Sequence, residues 1–154
     1  MSKPVVRISV RTVVETTLHE SDLTPAASSA QRMQEGAIAH RARQSSAQER
    51  EYRREVALSC DYEGEALTLH VTGRADGIFL REDSVTVIEE IKLGAENQPL
   101  LPAHRAQAAV YGHMLLEGED MDRVCLRVLY VDARGGALAM YEEEPGRGAP
   151  ARGV

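Results

Sequence analysis

The chain has 154 residues, 43% hydrophobic and 27% charged, which by length is one globular domain able to bury its own core. No apolar run nears the roughly 20 residues a membrane span needs, and MSKPVVRISV lacks the apolar core of a signal peptide, so no membrane contact and a cytoplasmic location are expected. The net charge of −6 excludes a uniformly basic nucleic-acid clamp, but residues 1–54 carry 9 basic and 6 acidic side chains while residues 55–154 carry 9 and 18.

Ser9 reads as the N-cap of a short amphipathic helix in which Val10, Val13, Val14 and Leu18 recur at helical spacing, ending near His19. The stretch SDLTPAASSA is a polar loop. From Ser29 to Glu55 the composition predicts one long helix with a soft point at Ser45–Ser46; it holds few large apolar residues and can bury only a narrow stripe. Six arginines (Arg32, Arg41, Arg43, Arg50, Arg53 and Arg54) make it basic. It reads either as a phosphate-facing helix or as a solvated one laced with ion pairs to Glu35, Glu49 and Glu51, and charge alone favours the second.

From Glu55 the period changes to that of strands. Three are predicted, over residues 55–62, 66–80 and 84–93, with short turns at Glu63–Gly64 and at 81–83, forming an antiparallel meander. After a loop with Pro99 and Pro102 comes a helix over 103–118 stopped by Gly118, then a strand over 122–132 and an edge strand over 137–144. Residues 145–154, rich in Gly, Pro, Ala and Arg, read as a disordered tail, leaving 1–144 as the domain. Cys60 and Cys125, far apart and in no CxxC pattern, read as reduced and buried. The plan is α+β, with helices covering a central mixed sheet.

The chain has 16 Arg and 2 Lys, and its one internal lysine is Lys92, in VIEEIKLG. Strand alternation places Glu90 and Lys92 on one face, about 6.5–7 Å apart. Glu89 falls on the opposite face among Val85, Val87, Ile91 and Leu93, read as the core face, where it needs a partner such as an arginine from a covering helix. In TGRADG, Asp76 is flanked by Gly73 and Gly77, which suggest a bulge or a close approach by another group. If the second and third strands pair through the turn at 81–83, Asp76 faces residues 88–90. Two adjacent carboxylates repel unless a cation lies between them. A hard ion such as Mg²⁺ or Mn²⁺ takes oxygen ligands and activates water, and a lysine beside it orients that water or neutralises a phosphate. The plainer alternative is a Glu90–Lys92 surface ion pair with Asp76 as a turn acid.

These residues resemble the PD-(D/E)XK nuclease superfamily: GRADGI, 13 residues between Asp76 and Glu90, and EIK, within three strands followed by a helix. Gln107 and Tyr111 in QAAVY resemble the Q-x-x-x-Y element of its RecB-like branch, and EGAIAH resembles that branch's Gly-x-x-x-His helix. The combination looks most like nuclease domains fused to bacterial helicases of the DinG/Rad3 type. The resemblance implies a restriction-endonuclease-like core, with His40, Asp76 and Glu90 binding Mg²⁺ or Mn²⁺ aided by the Ile91 carbonyl. It gives Asp76, Glu90 and Lys92 the catalytic roles, with Lys92 acting on the attacking water or the phosphate. Gln107 and Tyr111 would touch the DNA backbone or brace the site, and Arg41 and Arg43 would supply basic contacts. Glu55 is a weak further candidate for the metal. Ala75 replaces the proline of the family name, two cysteines cannot ligate the iron–sulfur cluster of some relatives, and no G-x-x-x-x-G-K-[ST] motor motif is present. The implied activity is DNA phosphodiester hydrolysis, exonuclease-like on single strands or ends, either free-standing or with a helicase motor in the same or another chain. The alternative is a catalytically silent nuclease fold that binds DNA or docks on a helicase.

Overall fold

The computed structural model describes residues 3–17, 30–118 and 121–145. The order is β1 (Val5–Ser9), α1 (Val10–Thr17), α2 (Ala30–Ser46), β2 (Arg50–Glu63), β3 (Thr68–Leu80), β4 (Thr86–Leu93), α3 (Pro102–Gly118), β5 (Val124–Val131) and β6 (Ala137–Glu143). The fold is α+β, as its sequence predicts. Leu18, His19, the expected loop over 21–30 except Ala30, which opens α2, and the tail beyond residue 145 lie outside the described residues.

A six-stranded mixed sheet runs β1-β3-β4-β5-β6, with β2 added to the other edge of β3. The meander is present: β2 and β4 are both antiparallel to β3, while β1–β3 and β4–β5 are parallel. Helices cover both faces. On one, α1 and α3 enclose the main core, including Val10, Val71, Ile88, Tyr111, Met114 and Tyr130. On the other, Ala39 of α2 packs on Ile91, Leu129 and Val131. The face of β4 expected to be the core therefore carries the smaller cluster. Its opposite, with Ile88, faces the larger one, and β4 is buried on both sides, as in α/β sheets with doubly covered parallel strands.

Local chemistry explains most boundaries. The Ser9 hydroxyl accepts the Thr12 amide at 3.1 Å, capping α1 as predicted. Pro102 opens α3, and the Leu101 carbonyl accepts from both His104 and Arg105 at 3.1 Å. The predicted long helix is corrected: it stops at Ser46, and residues 50–55 belong to β2. At the soft point the Ser46 hydroxyl bonds back to the Arg43 carbonyl at 3.1 Å, a bond that weakens a helix. Beyond it, pairing with β3 and the stacking of Tyr52 on Phe79 (5.8 Å) override the helical propensity of Gln, Glu and Arg. The basic segment is thereby split between α2 and β2. Strand β1 was not predicted, because Val5 and Val6 are exposed and only Ile8 is half-buried, so no alternation marks it. Both cysteines are free; Cys125 is buried as expected, but Cys60 is only half-buried.

Candidate active site

The site forms where β3 changes neighbours. One edge of β3 pairs with β2 along its length. The other pairs with β1 over Thr68–Thr72 and with β4 over Gly77–Leu80. Between those ladders lies GRAD, residues 73–76. The β3–β4 register, Gly77 with Glu89 and Ile78 with Ile88, directs Asp76 toward Glu90, within the predicted range. The ladder ends at that point, and β3 and β4 part as a wedge.

Alternation also resets here. Ala75 and Ile78 both belong to the main core, although they are three residues apart. On β2, Val56 packs on that core while Tyr52 turns to the α2 side. Between them is Glu55, with φ of 52°, set opposite Asp76 by the flanking pairs Arg54–Gly77 and Val56–Ala75. A left-handed residue inside a strand is costly for a side chain with a Cβ. The paired irregularity turns Asp76 into the wedge.

There one Asp76 oxygen accepts the Ile91 amide at 2.8 Å and the other is 3.7 Å from His40 Nδ1. Glu90 is 1% exposed, and its Oε1 has no hydrogen-bond partner. Its other oxygen is 3.9 Å from Lys92 Nζ, which donates to Gln107 Oε1 at 2.8 Å. Burial lifts the Asp76 carboxyl above the ordinary carboxylate range against the pull of His40, the Ile91 amide and Lys92. Burial, then the neighbouring charge of Asp76, lifts Glu90 well above it. Among the described residues no three His, Cys, Asp or Glu groups converge as a ready-made cage. What fits a divalent cation is the donor set: two crowded acids, an adjacent imidazole and an orphaned, buried carboxylate oxygen.

The two glycines flanking Asp76 mark close approaches. A Cβ on Gly73 would stand 2.7 Å from the Tyr111 ring and from Val10, and one on Gly77 would stand 2.3 Å from the Tyr52 hydroxyl. Tyr111 is buried, and its hydroxyl accepts the Arg74 amide at 3.1 Å. Of the two roles implied for Tyr111, its contacts are those of a brace. Tyr52 crosses β3 to bond Glu89 at 3.0 Å.

Arg43 requires a correction. Expected to face nucleic acid, it is committed to the protein interior, its guanidinium donating to both oxygens of fully buried Glu89 at 3.0 and 2.9 Å and to Glu49 at 2.7 Å. The arginine that Glu89 needed from a covering helix is this one, joined by Arg127 at 3.2 Å. Arg41 is exposed with no ion pair among the described residues, and so are Arg54 and Arg74, which flank the Glu55–Asp76 pair.

The sequence reading missed Gln44. Only 8% exposed, it donates through Nε2 to the Asp76 carbonyl at 3.0 Å and to Glu55 at 2.8 Å. Its spacing of four from His40 is the signal that shows it. Arg127 was missed too, though it is the lone charge in VCLRVLYV.

No family model matches the chain, and no curated protein matches it. Among solved structures, the crystal structure of SSO0001 is similar, with a TM-score of 0.55 and 17% identity over 90% of this chain and 66% of that one. At that identity the likeness is one of fold, and the chain spans just under two thirds of that neighbour's length.

Proposed function

We propose that the protein is a metal-dependent DNA nuclease that hydrolyses phosphodiester bonds, exonuclease-like on single strands or ends. The observation that carries the reading is the Asp76–Glu90 pair, with Glu90 buried and its Oε1 unpartnered, His40 on one side and Lys92 on the other. Asp76, Glu90, His40 and the Ile91 carbonyl would hold Mg²⁺ or Mn²⁺, which when bound supplies Lewis acidity to the attacking water and the phosphate. Gln107 aims the Lys92 ammonium beside Glu90, where a compact cation can orient water or neutralise charge on the phosphate. Exposed Arg41, and Arg54 and Arg74 beside the Glu55–Asp76 position, would attract the strand. The exonuclease-like mode on single strands or ends and a helicase partner rest on the family resemblance alone.

The test pairs stability with cleavage. Metal-free Glu90→Gln melts higher than wild type at pH 8, because the amide carries no charge to bury, and Mn²⁺ no longer raises its melting temperature. Wild type with Mn²⁺ degrades single-stranded DNA, and Lys92→Ala does not. Wild type that neither responds to Mn²⁺ nor cuts DNA sinks the reading.

A further inference from the structure

The wedge between β3 and β4 has no ladder of strand hydrogen bonds beyond Gly77 and Glu89 to fix its width. Two consecutive residues of α2, one turn past His40, reach its two walls. Arg43 takes Glu89 of β4 with a two-pronged contact at 3.0 and 2.9 Å. Gln44 takes the Asp76 carbonyl of β3 and Glu55 of β2 with one amide, at 3.0 and 2.8 Å. Each contact adjoins a proposed ligand: Glu89 precedes Glu90, and the Gln44 acceptor is the backbone of Asp76 itself. Glu89 is fully buried and Gln44 nearly so, while Glu55 is exposed, and the Arg43 guanidinium also lies over the Tyr52 ring at 5.3 Å.

We infer that Arg43 and Gln44 are positioning residues, a clasp by which α2 spans the split in the sheet and sets the separation of Asp76 from Glu90. One helix thus carries His40 and fixes the carboxylates it would meet, so the three groups keep a common geometry. That the clasp serves a cation rests on the nuclease reading above; that it holds the wedge does not. Bidentate Arg–carboxylate geometry restricts both partners in a way an ammonium cannot reproduce.

Two variants test this without relying on catalysis. Gln44→Met keeps the length of the side chain and removes both donated bonds; Arg43→Lys keeps the charge and removes the fork. The reporter is the Ile91 amide, whose acceptor is Asp76 across the wedge. Hydrogen exchange at Ile91 is expected to accelerate by about tenfold or more relative to the Cys60 amide in the intact β2–β3 ladder, the scale set by losing one or two buried bonds. The Mn²⁺ concentration giving half-maximal thermal stabilisation should rise at least about fivefold in the same variants, as for losses around a metal's supporting shell. An unchanged exchange ratio between Ile91 and Cys60 in both variants overturns the clasp, even if both melt lower, because a merely structural role lowers protection everywhere. If wild type shows no Mn²⁺ response, the metal reading fails, and the Ile91 exchange ratio still decides the clasp. Should Gln44→Met not fold, Arg43→Lys carries the same two measurements.

Discussion

The Tyr111 hydroxyl accepts the backbone amide of Arg74 at the point where β3 has left β1 and not yet met β4. A backbone donor without a strand partner needs another acceptor, and a tyrosine from α3 supplies it. One turn earlier on α3, Gln107 holds Lys92, so the same helix serves both the β3 backbone and the lysine. Tyr111→Phe should therefore cost about 1–3 kcal/mol, the cost of an orphaned donor in a partly buried place. Urea denaturation gives the value, and a loss under about 0.5 kcal/mol would mean water replaces the hydroxyl at no cost. Gly73→Ala is expected to destabilise as well. In an ordinary strand that change gains roughly 0.5–1 kcal/mol, but here the methyl meets the Tyr111 ring and Val10 at 2.7 Å.

Glu89 is fully buried among Arg43, Arg127 and Tyr52. Removing the acid takes the fully buried carboxylate from two guanidinium groups, each only 12–13% exposed, and leaves them the part-exposed Glu49 and Glu142. Breaking a buried ion pair from one side typically costs about 3–5 kcal/mol. Glu89→Ala should fall in that range by chemical denaturation. Glu49→Ala, which removes a half-exposed acid from the same network, should lose about 1 kcal/mol or less. Equal losses in the two variants would show that Glu89 holds nothing Glu49 does not.

How legible this was in the sequence depended on which residues carried a periodic signal. Alternation in β4 and the short turn at 81–83 were enough to bring Asp76 toward Glu90, and the glycines around Asp76 suggested a bulge or a close approach by another group, which the structure shows to be two tyrosines. Alternation also separated Glu89 from Glu90 and left it in need of a partner, such as an arginine from a covering helix. It could not say which arginine, so Arg43 was assigned to nucleic acid when burial had claimed it. Charge counts do not distinguish a buried guanidinium from an exposed one. Strand β1 escaped because its residues are mostly exposed, and the start of β2 because its local propensity is helical and its strand character comes from β3. The flip at Glu55 is a backbone event with no compositional mark.

The exposed arginines that lack ion pairs among the described residues yield a separate expectation. Arg54 and Arg74 stand on either side of the Glu55–Asp76 position, whereas Arg123 is exposed but paired with Glu144 at 2.7 Å. Each arginine that neutralises a phosphate contributes about one to the slope of log affinity against log salt. In a Lys92→Ala background, to prevent cutting, Arg54→Ala and Arg74→Ala should each flatten that slope by about one on a single-stranded oligonucleotide. Arg123→Ala should leave it as it was. Three identical slopes would place the strand elsewhere on the surface.

His104 offers a pH test away from the carboxylates. Its Nδ1 is 2.8 Å from the Tyr130 hydroxyl, whose oxygen accepts the Leu101 amide at 3.1 Å. The tyrosine proton is thus free to be donated to His104, which requires a neutral imidazole. Burial, with the Lys92 charge second, lowers the histidine pKa from 6.5 to about 4. Between those values the unfolded chain binds the proton and the folded protein does not, so this contribution is whole above about pH 6.5 and is lost as pH falls toward 4. Its ceiling is on the order of 3 kcal/mol. His104→Gln keeps an acceptor for Tyr130 and cannot titrate, so wild type should lose stability relative to this variant between pH 6.5 and 4, measured by urea denaturation at stepped pH. Parallel pH profiles for the two proteins would mean that the histidine takes up its proton in the folded state as readily as in the unfolded chain.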